Sequence, residues 1–170
     1  MQTKSVLAAL LIAAIATPQI AEAKKLRFGG VRSAANGVKT YGYRDGVYTM
    51  KIEELVSCLR TESALDDASR QIDRDEIELK VLSNGLETSL SKINRSELTL
   101  DRYSQVSIDQ HNQLIDQFEA QRGHLNSRVD AFNANIDLLK GSLEAWNEEC
   151  SGKFYYEDDF LRAQNILTAN

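Results

Sequence analysis

Four residue types in this chain could do chemistry: two cysteines, two histidines, clustered carboxylates and a group of closely spaced tyrosines. Cys58 and Cys150 fall short of a closed tetrahedral metal set. Neither His111 nor His124 stands at helical spacing from other ligands. No Cys–His pair and no Gly-x-Ser-x-Gly turn supplies a nucleophile. Asp73, Asp75, Glu76 and Glu78 are rich enough in carboxylate to hold a cation, as are Glu157, Asp158 and Asp159. The first group lies on a heptad-patterned helix, where such residues read as a solvated face. The second does not match a calcium-binding loop. Tyr41, Tyr43 and Tyr48 in a glycine-rich arm suit stacking on a sugar ring or on a packed partner. No catalytic residue, metal or cofactor is expected.

The cysteines carry the remaining chemistry, which is a disulfide. Val6 to Ala16 is a short apolar run after Lys4. Pro18 breaks it, and Ala21-Glu22-Ala23 has the form of a cleavage site. Residues 1–23 therefore read as a secretory signal peptide, with no membrane-spanning segment left after cleavage. An exported chain with two cysteines is expected to join them, Cys58 to Cys150.

The elements that position the cysteines follow from heptad spacing. Ile108, Ile115, Arg122, Val129, Ile136, Leu143 and Cys150 form one seam. A second seam holds His111, Phe118, Leu125, Phe132, Leu139 and Trp146. This is a long amphipathic helix. Upstream, Cys58, Leu65, Ile72, Leu79, Leu86, Ile93 and Leu100 also step by seven. Thr49 is the expected N-cap of that first helix. Residues 101–107 read as the turn, and Ser107-x-x-Gln110 as the capping box of the second helix.

A Cys58–Cys150 bond makes the pair an antiparallel hairpin in which facing residues have numbers summing to 208. The seams obey this sum: Leu65 faces Leu143, Ile72 faces Ile136, Leu79 faces Val129 and Ile93 faces Ile115. The midpoint is Ser104, inside the expected turn. Cysteine spacing, turn position and heptad phase thus agree independently. The bond closes a loop of about 90 residues, worth roughly 4 kcal/mol in the chain-entropy model.

The expected fold is all-α: an antiparallel coiled-coil hairpin (residues 49–150) with the disulfide at its base. A basic, flexible or weakly β arm precedes it (24–48), and a tail with a short helix follows (151–170). The arm carries six basic residues against Asp45 alone up to Gly46, although the whole chain has a net charge of −5. Asp45-Gly46 suggests a type I′ hairpin turn within it. Exported and acidic, the chain is not expected to bind nucleic acid.

Four features stand out as candidate functional positions. The seam Phe118, Leu125, Phe132, Leu139, Trp146 faces Leu90, Ser83, Glu76, Ser69 and Glu62 at the summed register, so it reads as an unsatisfied interaction stripe. Gly85 and Gly123 share one level beside Arg122, which suggests a hinge or a close-approach waist, with Arg122 paired to Glu119 or Glu87. Tyr103 occupies the hairpin tip. These readings point to a non-enzymatic structural or interaction module of a bacterial cell envelope, periplasmic or secreted. A homodimer or other homo-oligomer is expected, or an envelope protein as partner. A periplasmic chaperone that holds unfolded clients on the stripe is the alternative.

Overall fold

A computed structural model describes residues 27–34 and 37–169. Residues 1–23, the segment that reads as a signal peptide in the sequence, lie outside the described residues. Seven elements follow in order: β1 (Gly30–Arg32), β2 (Gly42–Arg44), β3 (Val47–Thr49), α1 (Ile52–Leu98), α2 (Gln105–Glu149), β4 (Phe154–Tyr156) and α3 (Glu157–Thr168).

The two long helices form the predicted rod. At 47 residues and 1.5 Å per residue, α1 is about 70 Å long. Cys58 and Cys150 are bonded, 92 residues apart in sequence. Cross-helix contacts follow the register along the rod. Trp146 reaches Cys58, Arg128 reaches Glu78, His111 meets Ser96 and Ser89 meets Gln121. These pairs sum to 204, 206, 207 and 210, against 208 for the cysteines.

The fold is not purely helical, which corrects the all-α expectation. A four-stranded sheet in the order β1-β4-β3-β2 sits at the base of the rod. The arm supplies three strands and the tail supplies one. β2 and β3 form the antiparallel hairpin, with Asp45 and Gly46 both at positive φ as a type I′ turn requires (53° and 80°). β4 enters between β1 and β3 and runs parallel to both. Strands of three residues are marginal alone. The tail stabilises the arm by placing a central strand inside it. At Gly29 the chains touch so closely that an added Cβ would lie 2.2 Å from the Gly152 carbonyl oxygen.

Two caps move from their expected places. Thr49 ends β3, fully buried, and its hydroxyl accepts from Arg32 at 2.9 Å. Lys51 is the N-cap of α1 instead, with its N–H donating to the Glu54 carboxylate three residues on, at 2.9 Å. Ser104, not Ser107, caps α2, its Oγ accepting from the Ser107 N–H at 3.4 Å. Ser107 turns back to accept from the Asp101 N–H at 3.1 Å. The connection therefore spans residues 99–104. α3 begins at Glu157, with three acidic residues in its first turn where the helix dipole favours them.

Candidate interaction surfaces

The base of the rod is the most densely built region. Trp146 is 1% exposed, and its indole N–H donates to the Cys58 carbonyl at 3.2 Å. Phe28 stands edge-on to Trp146 and to Tyr155, at 5.5 and 5.6 Å between ring centroids. Tyr155 stacks on Phe160 of α3. Arm, tail and both long helices thus meet around the disulfide.

A polar clasp holds the outer part of the arm. The Lys39 ammonium lies between Asp158 and Asp159, 2.7 Å from the latter. Tyr41 donates its hydroxyl to Asp159 at 3.0 Å. The Tyr156 hydroxyl accepts from the Thr40 N–H and donates to the Thr40 carbonyl. Hydrogen bonds to Asp158 and Asp159 raise the Lys39 pKa, and the Lys39 hydrogen bond lowers that of Asp158. Burial, then the bond to Asp159, pushes the Tyr41 phenol up. A carboxylate with a depressed pKa stabilises the fold above its ordinary value and ceases to do so as pH falls through its folded value. A raised lysine acts in reverse, stabilising below 10.5 and failing as pH rises through its higher folded value. The clasp is therefore closed across the neutral range and opens below pH 3.8. Limited proteolysis of the arm as pH is lowered is expected to accelerate there, and a Lys39→Met variant is expected to lose that dependence.

The stripe Phe118, Leu125, Phe132, Leu139, Trp146 is not exposed, which corrects the sequence reading. Phe118, Phe132, Leu139 and Trp146 are 6%, 4%, 7% and 1% exposed, and Leu125 is half-buried. The reason is the small size of its neighbours on α1. A knob from one helix enters a hole made by four residues of the other, so it need not meet one matching side chain. Ala68, Ser69, Leu82 and Ser83 are half-buried in α1 and leave that room. Both seams of α2 pack on essentially one seam of α1. The carboxylate-rich stretch of α1 also has an inward member. Asp75 is buried, accepts from Gln71 at 2.9 Å and faces Arg128 at 3.5 Å.

At the middle of the rod no waist is found. An added Cβ at Gly85 or Gly123 would meet nothing within 4 Å, and α1 and α2 run through these positions as continuous helices. Arg122 points outward and pairs with Glu119 at 2.5 Å. Each glycine therefore costs helix propensity without serving packing. Gly85→Ala and Gly123→Ala are each expected to raise unfolding free energy by about 1 kcal/mol in urea titrations. His111 is half-buried, its Nδ1 3.1 Å from the Ser96 hydroxyl. His124 is exposed.

The tip carries fully exposed Tyr103, with Leu98 and Val106 at 88% and 65% exposure. The Tyr103 N–H donates to the Asp101 carboxylate at 2.9 Å, so its backbone is held while its ring is free.

One surface was missed in the sequence. Toward the base, a groove of about 320 Å³ lies between the helices, lined by Ala64 and Ala68 of α1 and by Asn135, Leu138 and Ser142 of α2, among others. No charged side chain lines it, in a chain in which 26% of residues are charged. Leu138 is 70% exposed. The sequence signal was the outward row Ala131, Leu138, Ala145, also stepping by seven. The groove has no titratable group in its lining.

No metal-binding cluster of His, Cys, Asp or Glu occurs among the described residues, and no described helix is long and apolar enough to cross a membrane. The chain matches no family model, and it resembles no characterised protein and no solved structure closely enough to be recognised.

Proposed function

We propose that this protein is a non-enzymatic interaction module of a bacterial cell envelope, exported to the periplasm or beyond. The observation that carries the reading is the architecture. Two helices of 47 and 45 residues satisfy their apolar seams internally, and a disulfide within a small sheet-and-helix base locks their register. Such a rod presents long rigid outer faces and a tip, all fixed relative to one another. It is well suited to holding a partner at a set distance. The disulfide accords with an oxidising compartment.

Burial of the Phe118–Trp146 seam removes the motive for a client-holding chaperone and for self-association through that seam. It leaves the outer faces as the working surface.

The test is affinity capture from envelope extracts with the disulfide-bonded protein as bait and the doubly substituted Cys58→Ser/Cys150→Ser chain as comparison. A discrete envelope protein retained by the first and reduced with the second is the expected result. Free thiols in protein isolated from cells, together with no specific capture, would overturn the reading.

A further inference from the structure

We infer that residues 83–124, the tip-ward part of the hairpin, open as a unit of their own while the base stays closed. Burial divides the rod. On α1 the buried residues are Leu55, Cys58, Leu65, Ile72, Asp75 and Leu79, and none follows Leu79. One continuous apolar cluster runs from the base along both helices and ends at Leu79 and Leu125. Between those two residues, around the turn, Phe118 alone is buried, and it lies outside the cluster. Leu86, Ile93, Leu100, Ile108 and Ile115 continue the heptad seams yet stay half-buried.

The cause lies in what is layered on the two helices. At the base, α3 packs on α1 and buries Ala163 completely. At 12 residues α3 is about 18 Å long, whereas residue 83 lies about 46 Å along α1 from its start. That third layer therefore cannot reach the tip-ward part. Helices owe most of their stability in a protein to packing rather than to propensity. Gly85 and Gly123 weaken the same stretch further, and Arg122 replaces an apolar seam residue and turns outward to Glu119. The cross-helix hydrogen bond from Ser89 to Gln121 is exposed.

The root of the unit is fixed. Arg128 reaches across to Asp75 and Glu78, beside Leu79 and Val129 of the cluster. The two ends of the segment are held together there, so opening it needs no change in the sheet, α3 or the disulfide. The closed hairpin is the populated state, and the opening is a local excursion from it of the kind that hydrogen exchange reads. It bares Phe118 and the half-buried seam at the end of the rod that carries Tyr103. The base is the fixed end and the tip the yielding end. This property belongs to the rod and does not depend on what the module binds.

The test is native-state hydrogen exchange of the full disulfide-bonded chain, read by mass spectrometry of peptic fragments in conditions where reclosing outpaces exchange. Protection factors within 86–98 and 106–121 are expected to lie about a hundredfold or more below those within 58–79 and 129–146, and to share one shallow urea dependence. Ile72→Val with Ile136→Val trims the basal core. It is expected to lower basal protection about tenfold and to leave the tip-ward factors unchanged. Gly85→Ala with Gly123→Ala is expected to raise the tip-ward factors about tenfold or more. Equal protection along the whole rod would mean one cooperative unit and would overturn the inference. So would tip-ward factors that fall together with the basal ones in Ile72→Val/Ile136→Val. Tip-ward amides that open residue by residue, with unrelated urea dependences, would overturn it as well.

Discussion

Trp146→Ala is expected to lower the free energy of unfolding by about 3–5 kcal/mol, the range for emptying a large aromatic site in a packed core. The indole is 1% exposed, and it joins structures that are distant in sequence. Phe28 of the arm lies edge-on against it, and Cys58 of α1 accepts its N–H. Removing the ring leaves a cavity and strips Phe28 of one of its two aromatic contacts, while the Cys58 carbonyl keeps its place in the α1 ladder. The chain has one tryptophan, so far-ultraviolet circular dichroism in a urea titration is the suitable readout. Leu138→Ala, at an exposed site on the same helix, is expected to stay within about 0.5 kcal/mol of wild type. A Trp146→Ala loss below about 1 kcal/mol would contradict the packing of the base. Phe132→Glu distinguishes the buried seam from an exposed one. At 4% exposure it is expected to unfold the rod, not to solubilise a monomer.

Replacing both cysteines by serine is expected to cost about 4 kcal/mol, with a clear fall in melting temperature. The bond spans 92 residues, and its main effect is on the unfolded chain, which loses the freedom of that loop. A rod two helices wide buries few side chains beyond its seam. Little else compensates for ends that are free to separate. Calorimetry of wild type and the double variant measures the difference. Unchanged melting would mean that the sheet and α3 hold the base closed without the covalent link. Peptide mapping without reductant is expected to recover Cys58 and Cys150 linked within one chain.

Much of this architecture is legible in the residues. A seven-residue apolar period needs no tertiary information, because helical geometry puts those positions on one stripe. Cys58 and Cys150 then set the register of the two stripes, and Asp45-Gly46 marks a turn that only positive φ allows. The surface is harder to read. Counting matched partners one to one made the Phe118–Trp146 seam look unsatisfied, because knobs-into-holes packing fills space left by small residues such as Ala68 and Ser69. The capping position shifted for a similar reason. Ser104 and Ser107 both fit the local pattern, and closure of the turn around Asp101 selected the first.

By itself the sequence determined the long helices, their antiparallel pairing, the disulfide and the type I′ turn. All of these rest on local periodicity or on a single pairing constraint. Only the tertiary structure decided that the arm and tail form one sheet, and that the large seam of α2 is internal. Those outcomes depend on which non-local surfaces meet: β4 joins β1 and β3 across more than a hundred residues, and burial of a seam depends on the shape of its neighbour as much as on its own hydrophobicity.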